Sequence, residues 1–329
     1  MANAALRLGI MGLANIARGA ILPAAEQTEA IKITAVATRD GKKADVVRDL
    51  APDAELYEDY GSLVDSDEVD AVYIPLPNNM HVEWTLKALG AGKHVLCEKP
   101  FALESAAAEE AVQYARESGL TLMEGFMFRL HPQTLRLRQL MEDRAVGTVR
   151  QVVAQFGHRL DDPDDVRRIG SLGGGALGDV GCYAVSGVRL AFGSEPRRAS
   201  AFARFDGDDA DRELAGVLEF DEGVGIISSS ISSARRERLE IVGTEGRIIL
   251  DAPFRADKAG GVMEIRRGDD VVTESFQEGD PYLAELEEFA AAVREERDPA
   301  VGPEEILGNA RAIGALLGSA RQGGRVQSV

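Results

Sequence analysis

Residues 6–17, Leu6-Arg7-Leu8-Gly9-Ile10-Met11-Gly12-Leu13-Ala14-Asn15-Ile16-Ala17, decide how this chain is read. An apolar run of strand length, Leu6 to Met11, enters Gly12-Leu13-Ala14-Asn15-Ile16-Ala17. That is the dinucleotide fingerprint G-x-G-x-x-G/A with Ala14 in place of the second Gly. The first Gly permits a tight strand-to-helix turn. Small residues after it let the backbone approach a pyrophosphate at a helix N-terminus. A fingerprint alone is weak, and a plain small-residue turn has the same pattern. Its weight comes from context: a preceding strand and βαβ units that follow.

Those units are visible directly downstream. LRLGIMG, IKITAVATR, AVYIPL, HVLCEK and LTLMEG are short apolar runs separated by segments of helical length, which predicts a parallel sheet. From about residue 149 the spacing changes. VRQVVAQFGH, ASAFARF, LAGVLEF, VGIISSSI, RLEIVGT, RIILD and VVTESF read as strands. Turns at Phe220-Asp221-Glu222-Gly223-Val224 and Gly243-Thr244-Glu245-Gly246 join some of them, so this sheet should be mainly antiparallel. Two helices close the chain, the first with Leu283, Leu286, Phe289, Ala290 and Val293 on one face. The expected fold class is therefore α/β: an N-terminal Rossmann dinucleotide-binding domain over residues 1–124, and a C-terminal α+β domain with an open sheet over 125–329. The second domain should bind substrate and mediate oligomerisation, and the C-terminal helices are candidates to pack back near the first domain.

Composition narrows the function classes. The chain has 329 residues and a net charge of −18, with 45% hydrophobic and 28% charged residues. These are globular proportions. The acidic surface repels nucleic acid and anionic membranes, which are bound by clustered Lys and Arg. There are 7 Lys against 30 Arg, a balance that a salt-adapted host or a GC-rich genome would each produce. No apolar run is long enough for a membrane span, and MANAALRLGIMG does not read as a secretory signal. Only Cys97 and Cys182 occur, which suits a reducing cytoplasm. His81, His94, His131 and His158 lack metal-ligand spacing, so no metal is expected.

Three further stretches could carry chemistry. The second strand ends in Thr38-Arg39-Asp40-Gly41-Lys42-Lys43. An acid at that strand end bonds the ribose 2′-hydroxyl of NAD, whereas Arg suits the 2′-phosphate of NADP. Thr38 offers a hydroxyl, Arg39 and Lys43 offer positive charge, and Asp40 remains a possible ribose acid; the balance favours NADP, with NAD the weaker alternative. Pro75-Leu76-Pro77-Asn78-Asn79-Met80-His81 and Glu98-Lys99-Pro100 follow the third and fourth strands, at carboxyl ends where open α/β sheets bind ligands. Finally, Gly173, Gly174 and Gly175 precede a helix expected near Gly178, on which Asp179 and Tyr183 are i and i+4. An acid and a phenol on one face can move a proton on a substrate oxygen; equally, they can be a helix-start acid and a packing Tyr.

Taken together, the fingerprint, PLPNNMH, EKP, MEGFMFRLHPQ and GGGALGDVGCYAVSGVRLAFGSEP resemble the glucose–fructose oxidoreductase / inositol dehydrogenase / MocA family. They are most similar to the subgroup that includes dimeric dihydrodiol dehydrogenases, NADP-dependent D-xylose dehydrogenases and glucose–fructose oxidoreductases. The match runs in order through nearly the whole chain, and Tyr183, where many inositol dehydrogenases carry His, selects the subgroup. The resemblance implies that Lys99 is the catalytic lysine and a cofactor contact, Tyr183 the acid/base and Asp179 its helper. It implies that Gly12, Ala14, Asn15 and Ile16 meet the pyrophosphate. Thr38, Arg39 and Lys43 would take the 2′-phosphate, and Leu76, Asn78, His81 and Glu98 would line the nicotinamide and ribose side. Arg167 would lie near substrate and nicotinamide. Ala14 departs from the commoner Gly without overturning the cofactor assignment.

An unperturbed Tyr, with a pKa near 10, is a poor base at neutral pH. A nearby ammonium favours the phenolate and makes the proton transfer feasible. The expected activity is NADP(H)-dependent hydride transfer to or from a sugar or polyol, as in aldose 1-dehydrogenation. Ketosugar reduction and trans-dihydrodiol oxidation are the alternatives within the class, and a non-catalytic cofactor-binding regulator the alternative outside it. A homodimer or homotetramer is expected, because an antiparallel sheet with one uncovered face must hide it.

Overall fold

The computed structural model describes residues 4–40, 44–207, 209–276 and 279–329. They form two compact units. The first comprises 1–102, 106–127 and 280–307, and the second 103–105, 128–279 and 308–329.

The first unit is built on six parallel strands: β1 (Leu6–Met11), β2 (Ile31–Ala37), β3 (Glu55–Tyr57), β4 (Ala71–Ile74), β5 (His94–Glu98) and β6 (Leu122–Gly125). Their spatial order, β3-β2-β1-β4-β5-β6, is that of the doubly wound dinucleotide fold, with the order reversing beside β1. Leu8, Ile10, Val36, Val72, Tyr73, Val95 and Leu96 are fully buried. Burial on both faces explains why these strands read as unbroken apolar runs rather than alternating ones. Strand β3 escapes a sequence reading because Glu55-Leu56-Tyr57 is short and only partly buried. Within the same unit, the helix Pro281–Glu295 buries Leu286, Phe289 and Ala290, together with Glu285.

The second unit carries a nine-stranded sheet: β7 (Val149–Arg159), β8 (Arg198–Phe205), β9 (Asp211–Glu219), β10 (Val224–Ser230), β11 (Ser232–Gly243), β12 (Arg247–Leu250), β13 (Gly261–Arg267), β14 (Asp270–Phe276) and β15 (Gln327–Ser328). All pairings are antiparallel except β7 with β10. Strands β13 and β15 add to the seven expected. One sheet face packs on the helix Cys182–Phe192. The other presents Phe202, Val217 and Ile226 at 68%, 42% and 36% exposure. Val217 lies opposite Ile226 across the β9–β10 ladder, so these side chains form a shared apolar face rather than isolated exposures.

Candidate functional site

The first unit supplies a cluster made by strand ends. Gly12 has φ of +87°, and its N–H donates to Ala37 O at 2.7 Å. A Cβ there would lie 3.1 Å from Leu76 Cδ2 and 3.4 Å from Tyr60 Oη. Both dihedral and space therefore require glycine. Helical conformation begins at Asn15 and runs through a π-helical stretch, Ala17–Ile21. Asn15 Oδ1 accepts from the Arg18 guanidinium. Ala14, Asn15 and Ile16 thus stand at a helix N-terminus directly after the glycine turn, the arrangement that favours a pyrophosphate.

At the end of β2, Thr38 is buried and Arg39 exposed. Thr38 Oγ1 accepts from Asp40 N–H at 3.2 Å, and the Arg39 guanidinium lies 5.0 Å from the Tyr60 ring centre. Stacking on an aromatic face holds the cation in place while leaving its donors accessible. Lys43 lies outside the described residues.

After β4, Asn78 begins a short 3₁₀ turn and His81 opens the helix His81–Gly90. The fully buried His81 ring is wedged between carbonyls, with Nδ1 2.8 Å from Pro100 O and Nε2 2.8 Å from Leu76 O. Burial pushes its pKa down, the two carbonyl contacts oppose this and the Lys99 charge adds to the lowering; the ring ties the Leu76 turn to the Lys99–Pro100 segment. That peptide bond is cis. Glu98 Oε1 accepts from Tyr73 Oη at 2.7 Å, and burial followed by the Glu98 charge drives the Tyr73 phenol well above its usual range. Glu285, fully buried with neither carboxyl oxygen hydrogen-bonded, is likewise raised by burial and then by Glu98. Neither Tyr73 nor Glu285 stands out in sequence, because a Tyr in an apolar strand and a Glu in an amphipathic helix both have ordinary surroundings.

The second unit supplies a cluster made by buried side chains. The glycine loop leads into a helix that is π-helical over Leu177–Gly181 and α-helical over Cys182–Phe192. Asp179 and Tyr183 are 9% and 7% exposed. The Tyr183 ring sits among Phe128, Phe156 and Phe254, with ring centres 5.6, 5.5 and 5.8 Å away. Asp179 Oδ2 lies 2.8 Å from His158 Nε2 and 3.8 Å from the Arg167 guanidinium. Arg167 is in turn held by both oxygens of Asp165, at 2.9 and 2.7 Å. That pairing raises the Arg167 pKa and lowers that of Asp165, so this is a fixed pair of opposite charges beside Asp179. Arg129 donates to Ser186 Oγ at 3.0 Å, and His131 caps the helix Pro132–Glu142 through Gln133 N–H at 3.2 Å; both hold structure together.

His158 and Asp165 are the additions that sequence reading misses. The signal for His158 is its phase: it follows Val152, Ala154 and Phe156, which are buried, along β7. A histidine in the inward register of a strand needs a polar partner, and Asp179 is that partner. Among the described residues, no group of three or more His, Cys, Asp or Glu could hold a metal ion.

Comparison with known proteins agrees in both halves. The model of an oxidoreductase family with an NAD-binding Rossmann fold matches residues 6–126, and that of the GFO/IDH/MocA C-terminal domain matches 134–249. The chain is 36% identical to D-xylose 1-dehydrogenase (NADP(+)) 2 of Haloferax volcanii, over 98% of this chain and 99% of that one. A 3-ketoreductase from Actinomadura kijaniata, solved with NADP and TDP-benzene, superposes with a TM-score of 0.89 at 31% identity, covering 96% of this chain and 98% of that one. Aldose–aldose oxidoreductase from Caulobacter crescentus, solved with glycerol, gives 0.90 at 27% identity, covering 99% and 100%. With both domain models matched in order, the chain belongs to the GFO/IDH/MocA family of oxidoreductases.

Proposed function

We propose that this protein is an NADP(H)-dependent oxidoreductase acting on a CH–OH group of a sugar or polyol, with aldose 1-dehydrogenation as the leading reaction. The observation that carries this reading is the buried Asp179–Tyr183 pair, with its carboxylate held by His158 and Arg167. Such a phenol is oriented by its aromatic surroundings and can exchange only a proton of its own hydroxyl.

Gly12, Ala14, Asn15 and Ile16 would hold the pyrophosphate. Thr38 and Arg39 would take the 2′-phosphate, Leu76, Asn78 and Glu98 would face the nicotinamide half, and the fully buried His81 would fix the Leu76 turn rather than touch the cofactor. Bound nicotinamide supplies or accepts the hydride. In oxidation, Tyr183 Oη takes the substrate hydroxyl proton as the C–H bond gives up its electron pair; in reduction it returns that proton to the carbonyl oxygen. Lys99 supplies the positive charge that favours the phenolate, Asp179 orients the reacting hydroxyl, and Arg167 anchors Asp179. Reduction of a ketosugar is the second reading, favoured by the 31% identity to the 3-ketoreductase.

The apolar sheet face of Phe202, Val217 and Ile226 supports assembly as a homodimer or larger oligomer, which light scattering would report; a monomer at micromolar concentration refutes it. Cys97 and Cys182 are both buried, and a reducing, cytoplasmic location would suit them. No helix among the described residues is long and apolar enough to cross a membrane. The deciding experiment is turnover by purified protein with NADP and NAD on a panel of aldoses, polyols and ketosugars, in both directions. Absence of turnover throughout would favour the regulatory alternative.

A further inference from the structure

Asp211, the first residue of β9, is 2% exposed and is one of the few carboxylates inside the second unit. Its Oδ2 accepts from Leu177 N–H at 2.9 Å, in the first turn of the helix that carries Asp179 and Tyr183. Its Oδ1 occupies the space that a side chain at Gly175 would need: a Cβ there would lie 2.2 Å away, and Gly175 has φ of +131°. The glycine loop and the carboxylate are therefore fitted to one another. Gly175 N–H donates to Arg167 O at 2.9 Å, and Gly175 O accepts from Asp179 N–H at 2.9 Å. One loop residue thus connects Asp211 to both Arg167 and Asp179. The next residue, Arg212, is tied into the sheet through Ile231 N–H at 3.0 Å, so the anchor is rigid.

A buried carboxylate is a costly way to satisfy backbone N–H groups, and protonation relieves part of that cost while leaving an oxygen to accept from Leu177 N–H. We propose that Asp211 is a positioning residue, whose buried carboxylate fixes the glycine loop and first helical turn so that Asp179 and Tyr183 are presented in register. The catalytic part of this inference rests on the function proposed above; the anchoring part does not.

The charged groups facing Asp211 are Arg212, held by Asp206 Oδ2 at 2.5 Å, and Arg321 of the helix Pro303–Arg321, held by Asp209 Oδ2 at 2.6 Å. Burial outweighs their effect and pushes the Asp211 carboxyl up to about 6. The closed loop therefore holds this proton more tightly than an opened one, and mild acidification should favour the closed loop.

Hydrogen exchange of peptides covering 173–183 in the full chain, corrected for intrinsic rates, tests this at pH 7.5 and pH 5. Wild-type protection should rise about tenfold at the lower pH. In Asp211→Asn it should be equal at both pH values, and Gly175→Ala should lower it. On the best substrate of the panel, Asp211→Asn should lower kcat about tenfold, with the KM for NADP unchanged. Flat wild-type protection across this range overturns the anchor without needing any variant to fold. Lost protection with normal kcat overturns the positioning role. Failure of the proposed function shows separately, as a wild type without turnover whose exchange pattern is still as expected.

Discussion

The two clusters are built from different materials. In the first unit the cluster is mostly backbone: a glycine turn after β1, the ends of β2, β4 and β5, and carbonyls clasping the His81 ring. In the second it is mostly side chain, with His158 from a strand, Arg167 from a short 3₁₀ turn, Asp179 and Tyr183 from a helix, and Asp211 from another strand. A backbone cluster survives many side-chain changes and binds what most dinucleotides share. A cluster of buried side chains depends on each member, and it is suited to moving a proton at one position.

That contrast is broken most severely at its two chemical residues. Lys99→Ala should reduce single-turnover hydride transfer by well over about 10²-fold and weaken cofactor binding as well. Tyr183→Phe should cost about 10²-fold or more with cofactor affinity nearly unchanged. A double-mutant cycle between them should show strong non-additivity. If Tyr183→Phe keeps near-normal rates, Tyr183 is a packing residue and the proton passes to Asp179 or Lys99.

Stability against pH separates the clusters next. Asp211 has its pKa raised from 3.8 to about 6 by burial, which corresponds to roughly 3 kcal/mol. The folded state then holds this proton more tightly than the unfolded state. The group's stabilising contribution is full below about pH 4 and is lost as pH rises through about 6. Urea denaturation of wild type and Asp211→Asn from pH 4 to 7 should therefore show wild type losing up to roughly 3 kcal/mol relative to the variant. Parallel curves would mean that the carboxyl is not held as described.

Smaller effects sharpen the comparison. His158→Ala should lower kcat about tenfold by releasing Asp179 from its 2.8 Å partner, with little change in the KM for NADP. A rise in that KM instead would assign His158 to cofactor binding. Arg39→Ala should weaken NADP several-fold to about tenfold while leaving NAD nearly untouched, since its guanidinium is worth most to a phosphate. Equal losses with both cofactors would remove Arg39 from the 2′-phosphate.

How legible each cluster was follows from how local it is. Gly12, the strand-end turns and the Lys99–Pro100 segment are contiguous in sequence, so a periodicity reading reaches them. Asp179 and Tyr183 were visible too, as an i, i+4 pair behind three glycines. What joins them to His158, 21 residues earlier, or to Asp211, 34 residues after Leu177, is a matter of which strands are neighbours. No local pattern encodes that.

By itself, then, the sequence determined the parallel sheet of the first unit and the glycine turn after its first strand. Hydrophobic period and a positive φ are properties of adjacent residues. Only the tertiary structure decided that β7 lies parallel to β10, that His158 faces Asp179, and that a buried carboxylate from β9 fills the place of a side chain at Gly175. Those relations depend on strand order and on burial, which desolvates distant groups together, and the chain acquires both only when it packs.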